Sequence, residues 1–289
     1  MGYSNQNLQS IKPSKGSYFP LIKGVSLFLM FVFVAFILFV IIKGVAAFDW
    51  NLLLVDTRNS DQRFNFISAL LGTCYLLIVS FIISVPVGLL GGFYYSGFFS
   101  NNKYLSYLKM LNRILSGVPS IIFGMFGMVI FVNRLGFGYS ILAGSITLSL
   151  IAIPHVIKST EEAIRSVDKT YIESSMALGA SKIHTAIHVI LPIAFPKILS
   201  GFFFTMARIS GETAPLILTT ATYMVTQLPA SVFEPVVAIP HHVFLLARNG
   251  VENVQTLDLL YALSLVLLVI AVVVNIIVVV FKWRELNKK

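Results

Sequence analysis

Of the 289 residues, 57% are hydrophobic and only 11% are charged, less than half of the charged fraction of about 25% that is usual in soluble domains. Together with a mean hydropathy of +0.87, this composition excludes a single soluble globule and a disordered chain, and it indicates a polytopic, all-α membrane protein. The formal net charge of +9 does not indicate nucleic-acid binding, because the chain lacks a soluble basic face with interleaved aromatic residues.

Six apolar segments are long enough to cross a hydrocarbon core of ~30 Å as helices. They are residues 23–48, 66–95, 111–132, 139–157, 198–221 and 257–281. The first segment has a basic flank like that of a signal peptide, but its apolar stretch is too long and no small-residue cleavage site follows. We therefore expect it to be retained, which gives six transmembrane helices with both termini on one side.

The basic residues predict which side that is. With the N terminus inside, 15 of the 21 Lys and Arg residues fall on the inner side and four on the outer side. The inner set is Lys12, Lys15, Lys23, Lys103, Lys109, Arg113, Lys158, Arg165, Lys169, Lys182, Lys197, Lys282, Arg284, Lys288 and Lys289; the outer set is Arg58, Arg63, Arg134 and Arg248. By the positive-inside rule, both termini are cytoplasmic.

This topology divides the chain into four regions. They are a cytoplasmic tail (1–22), a first transmembrane helix with an outer loop (23–65), a core of five transmembrane helices (66–281) and a basic cytoplasmic tail (282–289). The core contains an inner loop, 158–197, and an outer loop, 222–256. Within the outer loop, 228–247 is apolar but interrupted by Glu234, three prolines and two histidines, so we expect short interfacial or re-entrant helices there rather than a seventh span.

The inner loop contains two capping-box patterns, Ser159-x-x-Glu162 and Thr170-x-x-Glu173. Each pattern predicts the start of a short helix, the second of which covers 171–178.

Gly179 is expected to end that second helix, and Ser181 can cap a third one over 182–190, which Leu191 and Pro192 would stop. The inner loop is therefore predicted to form a helix, a glycine turn and a helix at the cytoplasmic surface. Its apolar residues must be covered by the ends of the chain's own spans or by a partner subunit; they are Met176, Leu178, Ile183 and Ile187.

The same segment reads Glu173-Ser174-Ser175, three residues, Gly179, nine residues, Val189, one residue, Leu191-Pro192. It resembles the EAA loop of ABC-importer permeases, in which Ala, Ala and Ile stand at the positions of Ser174, Ser175 and Val189. The resemblance implies a MetI-like permease fold. It also implies that the conserved positions of this loop dock into a groove of a cytosolic ATPase and transmit its closure; these are Glu173, Ser174, Ser175, Gly179, Leu191 and Pro192.

Two further stretches narrow the resemblance. Residues 117–124 read Gly-Val-Pro-Ser-Ile-Ile-Phe-Gly, and 207–216 read Ala-Arg-Ile-Ser-Gly-Glu-Thr-Ala-Pro-Leu. Both are similar to the phosphate-specific ABC permeases, and the second is closer to their PstA-type than to their PstC-type subunits. The similarity covers the chain from about Phe66 onward. It implies a bacterial cell-membrane protein that works with a PstC-type second permease, a PstB-type cytosolic ATPase dimer and a PstS-type extracytoplasmic phosphate-binding protein.

Independently of any family, Arg208 and Glu212 are four residues apart in an apolar span and would share one helical face. An intramembrane charge costs on the order of 2.5–3.5 kcal/mol, so both side chains should face protein or a water-filled path. They could form a structural ion pair. However, the guanidinium of Arg208 also suits an oxyanion such as phosphate, and the resemblance places an Arg and a Glu here in phosphate permeases.

Gly211 and Pro215 flank Glu212 and weaken the backbone hydrogen-bond ladder, so they are hinge candidates, although both residue types are also common in packed spans. The remaining candidates indicate structure. His241 and His242 next to Pro240 favour a surface loop over a metal site. The carboxylates Glu161, Glu162 and Asp168 are expected at solvated helix starts, and the glycines at 88, 91, 92, 124 and 127 are expected at close helix contacts.

No metal site is expected, since the only cysteine, Cys74, lies in an apolar run. The chain also lacks the phosphate-binding pattern G-x-x-x-x-G-K-[ST], so ATP and Mg must be bound by a partner. The leading interpretation is one permease half of an ABC importer for phosphate, with another oxyanion such as molybdate or sulfate as the alternative within this class. An ion-coupled secondary carrier, in which Glu212 carries a proton, and an intramembrane enzyme are disfavoured by the EAA spacing and by the lack of paired catalytic groups.

Overall fold

The computed structural model describes residues 19–48, 66–99, 103–220, 229–249 and 254–286. These ranges contain helices and no strands, which confirms the predicted all-α class. In chain order the helices are α1 (Phe19–Ala47), α2 (Phe66–Ser96), α3 (Lys103–Gly117), α4 (Ser120–Gly127, continued by a π-helical segment Met128–Arg134), α5 (Ile141–Arg165), α6 (Lys169–Ala177), α7 (Lys182–Thr185, joined through the π-helical segment Ala186–Ile190 to the next helix), α8 (Leu191–Ile209), α9 (Ala214–Thr219), α10 (Ile239–Asn249) and α11 (Val254–Leu286).

Four helices among the described residues are long and apolar enough to cross a membrane: Pro20–Ala47, Ile67–Ser96, Ile141–Arg165 and Lys182–Ile209. The bent pair formed by α3 and α4 adds a fifth crossing if it is one span. In α11, the apolar stretch found among the described residues is Leu257–Val273. The count of six spans therefore stays a prediction, and the predicted loop 49–65 lies outside the described residues.

The span predicted over 111–132 is not one continuous helix. Helices α3 and α4 meet at an angle of 94°, and Pro119 lies between them in an extended conformation, with φ −55° and ψ 136°. Proline lacks a backbone N–H and disfavours the helical conformation of the residue before it, here Val118. The chain therefore turns sharply at this point instead of crossing in one straight helix.

The predicted fifth span, 198–221, is wrong at both ends. The helical rod begins at Lys182 and continues past Pro192 to Ile209. Pro192 does not stop it, because the turn before this proline is π-helical, with the N–H of Leu191 donating to the carbonyl of Ala186. Such a wider turn accommodates a residue that lacks an N–H. The inner loop is thus mechanically continuous with the membrane-spanning part of α8.

The capping box at Ser159 does not start a helix. Helix α5 continues through this position, and the hydroxyl of Ser159 donates to the Val156 carbonyl at 3.0 Å. Glu161 is correspondingly not at a solvated helix start, because its Oε1 pairs with Lys109 Nζ at 2.6 Å and Arg165 Nε at 3.1 Å. The capping pattern alone does not start a helix here, because the residues before Ser159 are already helical.

Helix α5 is the centre of the bundle and packs along α2 through small residues. A Cβ atom at Gly91 would lie 2.9 Å from Ile157 Cγ1, and Cβ atoms at Gly88 and Gly92 would lie even closer to side chains of α5. A Cβ atom at Gly124 would lie 2.7 Å from the Pro215 Cα, which joins α4 to α9. The expectation that these glycines permit close helix packing is confirmed.

Buried hydroxyls also join the two central helices. The Ser80 hydroxyl donates to the Leu76 carbonyl at 2.6 Å and to the Ser145 carbonyl at 3.1 Å, and the Ser145 hydroxyl donates to the Leu76 carbonyl at 3.3 Å. Hydrogen bonds between helices fix their relative position without a buried charge. Helices α2 and α5 therefore form a rigid frame against which α8 packs.

The outer loop contains α10, whose 11 residues span about 16 Å at 1.5 Å per residue, about half the hydrocarbon thickness. The expectation of a short helix rather than a seventh span is therefore met over the described part of 228–247.

Reporter fusions can test on which side of the membrane the C terminus lies. If the C terminus is cytoplasmic, a reporter enzyme that is active only outside the membrane should be silent when fused at Lys289 and active when fused after Asn249, because a single crossing separates the two points. Reporter activity at Lys289 would mean that 228–247 crosses the membrane after all.

Candidate functional site

The inner loop forms the predicted helix, turn and helix, starting with a cap two residues earlier than expected. The Asp168 carboxylate accepts hydrogen bonds from both the backbone N–H and the hydroxyl of Thr170, each at 2.9 Å. These two bonds lower the pKa of the exposed Asp168 carboxyl, so the cap is charged at neutral pH. Asp168, not Thr170, is therefore the N-cap of α6.

The turn after α6 depends on Gly179. Its φ of +85° lies in the left-handed region that favours glycine. The N–H of Gly179 donates to the Met176 carbonyl at 3.0 Å and the N–H of Ala180 to the Ser175 carbonyl at 3.2 Å, which satisfies the end of α6. Among the described residues, nothing lies within 4 Å of a Cβ atom at Gly179, so this turn is open on its outer side.

The second helix begins as predicted, with the Ser181 hydroxyl accepting from the His184 N–H at 3.2 Å. A hydroxyl pair then joins the two helices: Ser175 Oγ lies 2.9 Å from Oγ1 of the buried Thr185. An alanine at position 175 could not form this bond. Ser175 therefore fixes the angle between α6 and α7 by a contact that the Ala of the EAA pattern lacks.

The other predicted coupling residues are spread along this surface. Glu173 and Ser174 are exposed on α6, Pro192 is exposed on α8, and Leu191 is half-buried against the core. The structure thus brings Ser174, Ser175 and Gly179 to one end of the molecule, while Leu191 and Pro192 lie where the loop enters α8.

The apolar residues of the helix pair are not covered by the chain's own spans. Leu178 is 90% exposed and Ile183 is 65% exposed. Tyr171, Met176 and Ile187 are exposed as well, and we call these five residues the coupling surface. An apolar patch at a turn between two helices indicates an interface with another protein. Among the described residues, the chain's own spans leave this patch uncovered, which favours the alternative of a partner subunit.

Arg208 and Glu212 do not share a helical face. Helix α8 ends at Ile209, residues 211–213 are not helical, and α9 begins at Ala214. Arg208 is exposed, Glu212 is half-buried, and no ion pair joins them among the described residues. The prediction of one face is wrong because it assumed a continuous helix.

A non-helical segment between α8 and α9 lies where the hinge was predicted. Gly211 is in the non-helical segment, and a Cβ atom there would come no closer than 3.8 Å to other atoms, so space does not require glycine. Pro215 is buried in the first turn of α9, where a missing N–H is tolerated. The break is thus an observed feature, and movement about it stays a prediction.

Sequence reasoning missed His155, a half-buried residue of α5 that lies within the electrostatic range of Arg208 and Lys158. A histidine inside an apolar span is a signal that could have found it, since ionisable intramembrane residues are functional candidates by default. Arg208 and His155 bring two nitrogen-bearing side chains from α8 and α5 into one region.

His241 and His242 are not in a surface loop. They lie in the first turns of α10 and are only 2% and 5% exposed. Burial lowers the pKa of each imidazole to about 4, so both are neutral at neutral pH. The adjacent proline signalled a loop, but proline is also favoured in a first helical turn.

Comparisons with known proteins agree with this architecture. Residues 84–284 match the family described as binding-protein-dependent transport system inner membrane component. The probable ABC transporter permease protein YqgI of Bacillus subtilis (strain 168) is 32% identical over 232 residues, which cover 73% of this chain and 76% of YqgI. The probable phosphate transport system permease protein PstA of Methanocaldococcus jannaschii is 35% identical over 202 residues, 70% of each chain.

Among solved structures, an inward-facing MetNI methionine ABC transporter superposes with a TM-score of 0.60 and covers 74% of this chain and 95% of the matched chain. At 18% identity this likeness concerns the fold alone, and it confirms the predicted MetI-like permease fold.

Proposed function

This chain belongs to the family of binding-protein-dependent transport system inner membrane components, and we propose that it is the PstA-type permease subunit of an ATP-driven importer of inorganic phosphate. The observation that carries the proposal is the 35% identity, over 70% of the chain, with a protein named as a phosphate transport system permease. The fold is that of a permease, so the role of this chain would be to move the solute across the membrane.

The coupling surface on α6 and α7 supports a cytosolic partner. Its exposed apolar residues surround the open turn at Gly179, and the second helix continues into α8, so that Lys182–Ile209 is one helix. A displacement of this surface by the partner would therefore move α8 and its far end, where Arg208 lies. We assign the docking partner as a PstB-type ATPase dimer, which would bind ATP and Mg, because this chain has no phosphate-binding loop of its own.

The region around Arg208 would form part of the anion path. A guanidinium presents five donors in a planar fork that matches phosphate oxygens. Because Arg208 is exposed and forms no ion pair with Glu212, its donors are accessible to a passing anion. Contact at this point is transient, and tight capture belongs to a PstS-type binding protein; a PstC-type permease supplies the opposite wall of the path.

The test is uptake of labelled phosphate into membrane vesicles that contain this chain with its partner permease, ATPase and binding protein. Uptake should require ATP and the binding protein and should persist when an uncoupler removes the proton gradient. Unlabelled phosphate should compete, whereas sulfate and molybdate should not. A vesicle preparation without the ATPase is the matched control.

Two outcomes would contradict the proposal. Uptake that stops with the uncoupler and continues without ATP would identify an ion-coupled carrier instead. Competition by sulfate or molybdate with no competition by phosphate would keep the permease but assign it to another oxyanion.

A further inference from the structure

Helix α3, the end of α5 and the end of α2 enclose an open cavity of about 350 Å³, which is within the size range of small-molecule sites, roughly 300–1,000 Å³. Four cations and two carboxylates line it: Lys109, Arg113, Lys158, Arg165, Glu161 and Glu162. The lining therefore carries a net positive charge. None of these residues belongs to the coupling surface or to the region around Arg208.

The frame of this cavity is fixed by hydrogen bonds. Asn112 Nδ2 donates to the Pro154 carbonyl at 3.0 Å, which holds α3 on α5, and the Tyr95 hydroxyl donates to the Leu108 carbonyl at 2.9 Å, which holds α3 on α2. A preformed cavity binds a ligand without the cost of ordering its walls.

Two of the four basic side chains that line the cavity form no ion pair with the described residues. Glu161 Oε1 accepts from both Lys109 and Arg165, so one carboxylate satisfies two of the bases. Arg113 and Lys158 are exposed and have no ion-pair partner among the described residues. Two unpaired bases at the mouth of a cavity are suited to the oxygens of one phosphate group.

The opposite face of α3 is apolar and exposed. Its residues recur at helical spacing: Tyr104, Tyr107, Leu111, Ile114 and Leu115. At the C-terminal end of α3 the chain turns by 94° into α4. A helix with one apolar and one basic face, set nearly perpendicular to the following helix, has the character of a helix lying in the membrane interface.

The cavity lies on the same side of the membrane as the coupling surface. Arg165, at the end of α5, is followed after three residues by α6. If the coupling surface meets a cytosolic partner, this cavity opens to the headgroup region of the inner leaflet, where anionic lipids attract basic residues.

We propose that this cavity binds the phosphate headgroup of an anionic phospholipid of the inner leaflet. Arg113 and Lys158 contact the phosphate oxygens at the open side of the cavity, and the acyl chains pass around α3 to reach its apolar face. The proposal rests on the topology of the chain and not on which solute it transports. A free phosphate ion offers the same oxygens but has no acyl chain for the apolar face, which is why we assign the lipid.

The experiment measures phosphatidylglycerol binding to the purified, delipidated full chain in neutral detergent by native mass spectrometry. Arg113→Gln with Lys158→Gln should weaken this binding roughly 25-fold, about fivefold for each basic residue lost near an anionic surface. The control, Lys103→Gln with Lys169→Gln, removes two exposed charges from the same side of the chain but outside the cavity, and it should leave binding unchanged. Thermal unfolding of both variants should match the wild type, because none of the four residues holds an ion pair among the described residues.

Phosphatidylethanolamine should bind far more weakly than phosphatidylglycerol, and excess inorganic phosphate should not displace the lipid. Equal binding by the cavity variant and the wild type would overturn the proposal. Displacement of the lipid by inorganic phosphate would assign the cavity to the free anion, and equal binding of both lipids would show that only the apolar face contributes.

Discussion

Replacing Gly179 by Asp is expected to abolish phosphate uptake while leaving normal amounts of the protein in the membrane. In the described part of the chain, no atom lies within 4 Å of a Cβ atom at this position, so the new side chain has room there. Its φ of +85° is one that Asp tolerates better than most residues, and the backbone strain stays within about 1–2 kcal/mol. The loss must then arise where the turn meets its partner, because a carboxylate would be buried there without a counter-charge.

Gly179→Asn is the matched control, since it has the same size and backbone tolerance without the charge. We expect it to keep more uptake than Gly179→Asp. The measurements are uptake in vesicles, subunit levels by blotting and co-purification of the ATPase. Normal uptake by Gly179→Asp at normal subunit levels would contradict a coupling role for this turn.

Local signals in the sequence predicted the inner loop well. Gly179 needs a conformation that only glycine adopts easily, and Ser181 caps the helix that follows it, so both act within a few residues of themselves. The apolar residues beside them predicted a surface that requires covering. The sequence alone could not decide what covers it, because that depends on the position of the spans.

Prolines were interpreted less reliably, because their effect depends on the turns around them. Pro119 breaks a predicted span, whereas Pro192 lies within a continuous rod that a π-helical turn makes possible. Neither outcome follows from the proline itself. The same applies to Ser159, whose capping pattern is overridden by the packing of α5 in the centre of the bundle.

The spacing of Arg208 and Glu212 in the sequence is not sufficient to predict that their side chains meet. Glu212 is four positions after Arg208, but the end of α8 at Ile209 removes the helical geometry that would pair them. His155 is within electrostatic range of Arg208 because α5 packs against α8, and these two residues are far apart in the sequence. Contacts of this kind require the fold.

Arg208→Gln is expected to reduce phosphate uptake at least roughly tenfold without loss of assembly. Removal of a hydrogen bond to a charged group costs about 1.5–3 kcal/mol, which corresponds to roughly 10- to 100-fold in rate if the contact is made during translocation. Arg208→Lys keeps the charge but loses the planar fork, so it should retain an intermediate rate. Stimulation of the ATPase by the loaded binding protein should survive in both variants, since coupling runs through the inner loop.

Glu212→Gln, alone and combined with Arg208→Gln, separates a pathway residue from a structural ion pair. If the two charges stabilised one another, each single change would leave an uncompensated charge, and the double change would recover what either one loses. The structure shows no such pair among the described residues, and Arg208 is exposed in the last turn of α8. The double variant should therefore be no better than Arg208→Gln. The deciding measurement is labelled-phosphate uptake at matched subunit levels, and recovery of uptake in the double variant would refute the pathway role.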